Sequence, residues 1–179
     1  MSTLTPEALS LKIVSLASQP RSVLFAGAGV SARVGIPAWG SLLEGLSAVC
    51  QEYGDVASST LIKAKVHDGD FLSAAAIYNL CGKIPKGERY KRLISLLSPP
   101  KWDEKLDLLA SLIDLGFGAA VTTNFDRVLP GAYARQTRKF PRCLEIDDDT
   151  LKAGPMLGEY FIARIHGREE KPESLIFDS

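Results

Sequence analysis

The fold of this chain is decided by the stretch Val23-Leu24-Phe25-Ala26-Gly27-Ala28-Gly29-Val30-Ser31-Ala32. Its apolar run, Ser22 to Ala26, has the length and composition of a buried β-strand. The run leads into Gly27-x-Gly29-x-x-Ala32, the spacing of a turn that passes beneath a pyrophosphate. Glycine suits this turn because a Cβ would hold the phosphate away from the backbone N–H groups. The sequence thus predicts a phosphate-binding turn whose following helix points its positive end at the anion, with a plain strand–helix corner as the alternative.

Two later stretches also place polar side chains directly after apolar runs. Thr122-Thr123-Asn124-Phe125-Asp126 follows the run Gly118 to Val121, and Arg164-Ile165-His166-Gly167 ends the run that begins at Tyr160. Because the carboxyl ends of parallel strands meet at one edge of a sheet, we expect all three stretches to line one cleft. On spacing alone, Asn124 has a structural alternative as the cap of the helix that follows it.

Strand patterns alternate with helical patterns along the chain, which predicts an α/β fold with a Rossmann-like, mostly parallel sheet. Helical spacing between the first and second strands predicts a helical insertion over about residues 40–115. An opening helix from Pro6, capped by Thr5, carries an apolar stripe that we expect to pack on the core or, alternatively, to form an oligomer contact. Trp39 is expected to be a core anchor, with stacking on a ligand as its alternative. No interior linker divides residues 1–179, so we expect one domain.

Composition excludes several classes of function. The chain has 21 Lys and Arg against 21 Asp and Glu, so no overall charge favours nucleic acid, and we expect no direct nucleic-acid binding. No apolar run is long enough to span a membrane. Cys50, Cys81 and Cys143 are scattered without a C-x-x-C pair, which predicts reduced thiols in a cytoplasmic protein and no metal site.

The ordered motifs, together with Gly35-Ile36-Pro37, resemble the sirtuin-like family over about residues 20–179. The likeness is greatest to the branch found in bacterial antiphage systems, in which the domain degrades NAD. The resemblance implies a homo-oligomer, or a fused or paired sensor domain. It also implies NAD as the substrate, catalysis by Asn124 and His166, and NAD contacts at Gly27, Ala28, Gly29, Ser31, Thr123 and Asp126.

The residue types at the strand ends suit cleavage of the nicotinamide–ribose bond. That bond breaks through an oxocarbenium-like sugar, whose positive charge the Asp126 carboxylate would favour. Asn124 has both a donor and an acceptor to orient water or ribose, and His166 carries the imidazole that most often acts as a general base. An ordinary dehydrogenase is disfavoured, because Glu44 is the nearest residue to the expected ribose-binding acid and it lies in an amphipathic helix.

Departures from the family pattern separate the possible activities. Deacylating sirtuins carry Asp-Phe-Arg after Gly-Ile-Pro and a four-cysteine zinc ribbon before the His-Gly motif. This chain has Ala38-Trp39-Gly40 at the first place and Cys143 alone in the interval of the second. We therefore expect NAD hydrolysis without zinc. The alternatives are an NAD-dependent protein lysine deacylase and a non-catalytic NAD- or ADP-ribose-binding module.

Sirtuin-like domains continue well past the His-Gly motif, whereas here residues 168–179 follow it. We accordingly expect residues 1–179 to be the N-terminal part of such a domain, with an incomplete NAD site that acts weakly on its own. An open sheet edge in such a fragment would favour association.

Overall fold

Short apolar runs form a parallel sheet in the computed structural model, which describes residues 5–19, 22–145 and 159–167. The order within the sheet is β1-β2-β4-β3, and each neighbouring pair is parallel. This architecture confirms the expected Rossmann-like α/β fold. The strands are β1 (Val23–Ala26), β2 (Ala119–Thr122), β3 (Arg142–Glu145) and β4 (Phe161–Arg164).

The register of the sheet brings three strand ends to one level. Ala26 of β1 pairs with Thr122 of β2, and Thr122 pairs with Arg164 of β4. The pairing continues one step further, because the Ile165 N–H donates to the Thr122 carbonyl at 3.1 Å. The segments after β1, β2 and β4 therefore leave the sheet side by side at its carboxyl edge.

Helices supply most of the remaining described structure, and those between β1 and β2 form the expected insertion. The insertion has its own core, in which Leu43, Leu46, Ile62 and Tyr78 are almost fully buried. None of the described helices has the length and apolar content needed to cross a membrane. The helices are α1 (Pro6–Ala17), α2 (Ala28–Ala32), α3 (Trp39–Glu52), α4 (Val56–His67), α5 (Phe71–Leu80), α6 (Lys86–Leu97), α7 (Ala110–Asp114) and α8 (Val128–Thr137).

One segment of the insertion differs from its periodic pattern. The sequence predicts a regular helix ending at Gly116, but Asp103–Leu109 is a 3₁₀ helix that leads into the short α7. A 3₁₀ helix has three residues per turn, so side chains three positions apart lie on the same side. Leu106 and Leu109 have that spacing, and both are buried. The tighter helix thus buries two leucines that the sequence already spaces for it.

The apolar stripe of α1 does not pack as expected. Its N-terminal cap is confirmed, because the Thr5 hydroxyl accepts from the Ala8 N–H at 3.3 Å. Ala17 is the buried residue of the helix, however, while Leu9 and Leu16 are 48% and 52% exposed. Helical spacing can show that a face is apolar, but it cannot show whether another element covers that face.

Candidate functional site

The glycine turn joins β1 to α2 in extended backbone. Gly27 is the N-cap of α2, with φ −117° and ψ −168°, and its carbonyl accepts from the Val30 N–H at 3.0 Å. A Cβ built on Gly29 would meet nothing within 4 Å, and one on Gly27 would meet only the Thr123 hydroxyl oxygen, at 4.0 Å. Neither glycine has a positive φ. Glycine therefore contributes here by leaving out a side chain and not by adopting an unusual backbone conformation. The absence of side chains leaves the turn open to a phosphate.

The helix after the turn starts earlier than the sequence indicates. The pattern predicts a helical start at Ser31, whereas α2 runs from Ala28 to Ala32. A helix of five residues aligns few peptide dipoles. Attraction of an anion to this turn would therefore depend on the local N–H groups of Ala28 and Gly29, which precede the first helical hydrogen bond.

Asn124 ties the end of β2 to the glycine turn. Its Nδ2 donates to the Gly27 carbonyl at 2.9 Å and to Ser31 Oγ at 2.8 Å. The structural alternative from the sequence is wrong, because α8 begins at Val128 with Arg127 as its N-cap. Both N–H groups of the amide are engaged by the turn, so Oδ1 is the atom left to orient water or ribose.

Ser31 is buried and helps to hold the turn in place, so it offers little surface to a ligand. It is 2% exposed, and its hydroxyl accepts the Asn124 hydrogen bond. The sequence predicts Ser31 as an NAD contact and as a further donor to the pyrophosphate. With its oxygen held by Asn124, its main contribution is to fix α2 against the end of β2.

Asp126 is buried beside Ser31 at the start of α8. The residue is 6% exposed, and its Oδ1 accepts from the Val128 N–H at 2.9 Å. Burial raises the pKa of this carboxyl above its usual range, while Ser31, the Val128 amide and the charge of Arg164 partly oppose that effect. Asp126 therefore has a structural role at α8 in addition to the predicted electrostatic one.

Arg164 opens the third polar stretch of the sequence, but the sequence analysis assigns it no specific role. It ends β4 and is 4% exposed, and its positive charge lowers the pKa of Asp126. Arginine is rarely buried unless it is paired. The signal in the sequence is the single charged residue that closes the otherwise apolar strand Phe161–Arg164.

A row of aromatic rings connects His166 to the insertion. The His166 ring lies 6.4 Å from that of Phe125, and Phe125 lies 6.2 Å from Trp39 at an interplanar angle of 74°. Phe125 is buried, whereas His166 and Trp39 are half-buried. Trp39 packs against the core, as expected, and also lines the cleft beside the glycine turn.

The cleft brings together most of the predicted site residues. His166 is not among the lining residues, but its ring lies against that of Phe125, which lines the cleft, and Gly27 and Gly29 flank the lining residue Ala28. The cleft has a volume of about 30 Å³, which holds roughly two water molecules. A nicotinamide ring would therefore need the cleft to widen. The lining residues include Ala28, Ser31, Trp39, Thr123, Asn124 and Asp126.

Metal binding has no geometric support in the part of the chain that the structure describes. Within residues 5–19, 22–145 and 159–167, no group of three or more His, Cys, Asp or Glu side chains is arranged to hold an ion. Cys50 and Cys81 are buried and Cys143 is exposed. The absence of a metal in the functional protein stays a prediction.

No protein-family model and no curated protein matches the chain. The fold class rests on the observed parallel sheet. The sirtuin-like resemblance rests on the order of the motifs and stays a prediction, as do the substrate and the catalytic roles.

Proposed function

We propose that this protein hydrolyses NAD at the bond between nicotinamide and ribose. The observation that carries the proposal is the common position of the three motifs. The glycine turn, Asn124 with Asp126, and His166 follow the carboxyl ends of the adjacent parallel strands β1, β2 and β4. Open parallel sheets bind their ligands at this edge.

The glycine turn would receive the pyrophosphate. Gly29 is exposed, and a Cβ placed there would have no other atom within 4 Å. Phosphate oxygens could thus approach the N–H groups of Ala28 and Gly29 directly. Thr123, whose hydroxyl oxygen is the nearest atom to a Cβ placed on Gly27, closes the other side of the turn.

The reaction requires a nucleophile, a base and a site that favours positive charge. As the C–N bond breaks, nicotinamide leaves with the bonding electron pair, and the ribose develops oxocarbenium character. The Asp126 carboxylate supplies negative charge, and Asn124 Oδ1 can accept a hydrogen bond from the attacking water. Water adds to the sugar carbon, and His166 takes its proton, which yields ADP-ribose and nicotinamide.

A non-catalytic NAD- or ADP-ribose-binding module is the second candidate. Two observations favour it: the Asn124 amide hydrogens are engaged with the glycine turn, and Asp126 is buried as a partner of α8. A binding module needs an ordered turn but no base. His166 therefore distinguishes the two candidates.

The deciding experiment compares the two histidines of the chain. The full chain is incubated with NAD, and chromatography measures nicotinamide, ADP-ribose and cyclic products, while calorimetry measures NAD affinity. His166→Gln should lower turnover by about 100-fold or more with little change in affinity, because a general base contributes that much. The matched control is His67→Gln, which replaces an exposed histidine at the end of α4 and should change neither quantity.

Each outcome has a distinct meaning. Turnover that depends on His166 and not on His67 supports NAD hydrolysis. Binding without turnover in the wild type supports the module instead. Absence of both binding and turnover overturns the proposal and its second candidate together.

The biological setting is part of the proposal and rests on the sirtuin-like resemblance. In that setting, hydrolysis would deplete cellular NAD during antiphage defence. A homo-oligomer, or a fused or paired sensor domain, would then control the activity. Infection assays with the wild type and the His166→Gln variant would test this setting, since only an active enzyme would lower NAD after phage challenge.

A further inference from the structure

A second cavity lies at the opposite edge of the sheet from the glycine turn. Gly116 and Phe117 lie just before β2, separated from it by Gly118, and Tyr160 directly precedes β4, so these lining residues mark the amino ends of the strands. The cavity has a volume of about 210 Å³ and shares no lining residue with the first cleft. It is therefore a separate feature of the fold.

A small buried residue helps to explain why this side of the sheet leaves room. The core cluster next to the cavity contains Ala120 of β2, together with Leu129 and Ile162. An alanine side chain fills less space than the branched residues usual in parallel sheets. The space is closed from several directions, by Leu24 of β1, Leu112 and Ile113 of α7, and Tyr133 of α8.

The wall of the cavity is aromatic and uncharged. The rings of Tyr133 and Tyr160 stack with centroids 4.1 Å apart and an interplanar angle of 3°. No charged side chain is among the described residues that line the cavity, and the polar side chains there carry only hydroxyl groups. Burial raises the pKa of Tyr160, so its hydroxyl stays protonated and can donate a hydrogen bond at neutral pH.

We propose that this cavity binds a flat, uncharged aromatic molecule of one or two rings. An engineered cavity of about 150 Å³ lined by leucine, isoleucine and phenylalanine stays dry and binds benzene. The cavity here is larger, at about 210 Å³, and its lining combines leucine, isoleucine and phenylalanine with three hydroxyl-bearing side chains. A bicyclic ring such as indole therefore fits the space, with one edge close to the tyrosine hydroxyls. A charged ring does not fit, because the lining offers no counter-charge for an ion taken out of water.

The test titrates indole into the ¹⁵N-labelled full chain and follows amide chemical shifts. Saturable shifts should map to the residues around Leu24, Ile113 and Tyr133, and leave the glycine turn unchanged. Benzene should give the same map. Indole-3-carboxylate should bind at least about tenfold more weakly, because its carboxylate would have to be desolvated.

Two matched tryptophan variants locate the site. Leu112→Trp fills the cavity and should weaken indole binding by about tenfold or more. Leu108→Trp makes the same change at a 58% exposed leucine outside the cavity and should leave affinity unchanged. If Leu112→Trp does not fold, Tyr160→Leu replaces it, because loss of the stacked ring should also weaken binding.

Several results would overturn the proposal. One is the absence of saturable shifts at the solubility limit of indole. Another is equal affinity in the Leu112→Trp and Leu108→Trp variants. Indole-dependent shifts centred on Trp39 and the glycine turn would also overturn it, because they would mean that the first cleft takes the ring.

Discussion

Replacement of Asn124 by aspartate tests whether its amide holds the glycine turn in place. The two side chains are nearly equal in size, but aspartate has no N–H donor when it is ionised. The substitution removes the hydrogen bonds to the Gly27 carbonyl at 2.9 Å and to Ser31 Oγ at 2.8 Å. Ser31 can offer its own proton to the new carboxylate only by giving up its hydrogen bond to Asp126. The Gly27 carbonyl has no proton to offer, so two acceptor oxygens then face each other.

The expected loss follows from these two contacts. Each of the two partly buried hydrogen bonds contributes roughly 1 kcal/mol. The Gly27 carbonyl still accepts from the Val30 N–H, so the further loss comes from its repulsion by the new carboxylate. We therefore expect Asn124→Asp to lower the free energy of unfolding at pH 7 by about 2–4 kcal/mol. Asn124→Ala removes the same bonds without adding a charge and should lose less. At acid pH the new side chain regains an O–H donor, so the deficit of Asn124→Asp should shrink.

The assay is guanidinium unfolding at pH 7 and at pH 4, together with amide hydrogen exchange at Val30 and Ser31. The matched control is Asn79→Asp, the same chemical change at the other asparagine of the chain, near the end of α5. A negative charge close to a helix C-terminus costs only about 0.5 kcal/mol. Equal losses in the two aspartate variants would refute the reasoning. An inactive Asn124→Ala protein with wild-type stability would also refute it, because that result assigns Asn124 to chemistry alone.

The remaining predictions concern a thiol, a carboxyl and two glycines. The pKa of Cys50 is raised to about 12, chiefly by burial. Iodoacetamide at pH 8 should therefore modify exposed Cys143 and spare Cys50. Mass spectrometry measures the labelling, and equal labelling of the two thiols would contradict the prediction. Burial also raises the pKa of Asp126, so its contribution to stability is fully present below the unfolded pKa of about 3.9 and is lost as the pH rises through the folded value. Asp126→Asn, which keeps an acceptor oxygen, should flatten that fall in unfolding experiments between pH 4 and 7, and an unchanged profile would speak against it. Gly29→Ala should stabilise the fold by about 0.5–1 kcal/mol but weaken NAD binding in calorimetry. Gly87→Ala in α6, where a Cβ also has open space, should stabilise the fold without changing NAD affinity. Equal NAD affinity in the two variants would argue against phosphate binding at the turn.

The α/β fold could be predicted because its signals are local. An apolar run of strand length followed by Gly27-x-Gly29 marks β1 and its turn, and the spacing of Leu42, Leu46 and Val49 marks α3. These patterns reflect backbone periodicity, which each segment carries by itself. The position of the polar residues at the carboxyl edge of the sheet could then be predicted from the fold class, because parallel strands all end on the same side of a sheet.

The roles of the individual side chains needed the tertiary structure. Gly27 and Asn124 are 97 positions apart, and only the pairing of β1 with β2 decides that the amide meets the glycine carbonyl. The burial of Asp126 next to Arg164 likewise depends on which strand lies beside β2. Hydrogen bonding and desolvation act between groups that touch, and a sequence does not state which distant groups touch.

The apolar stripe of α1 and the second cavity also separate what the sequence predicts from what only the tertiary structure decides. Helical spacing correctly predicted α1, but the leucines of this helix are exposed. Whether an apolar helix face is buried depends on other elements packing against it, which the helix's own sequence does not determine. The second cavity is made by Leu24, Ile113, Tyr133 and Tyr160, which belong to four separate segments. Volume left between elements depends on how all of them pack, so only the assembled structure could reveal it.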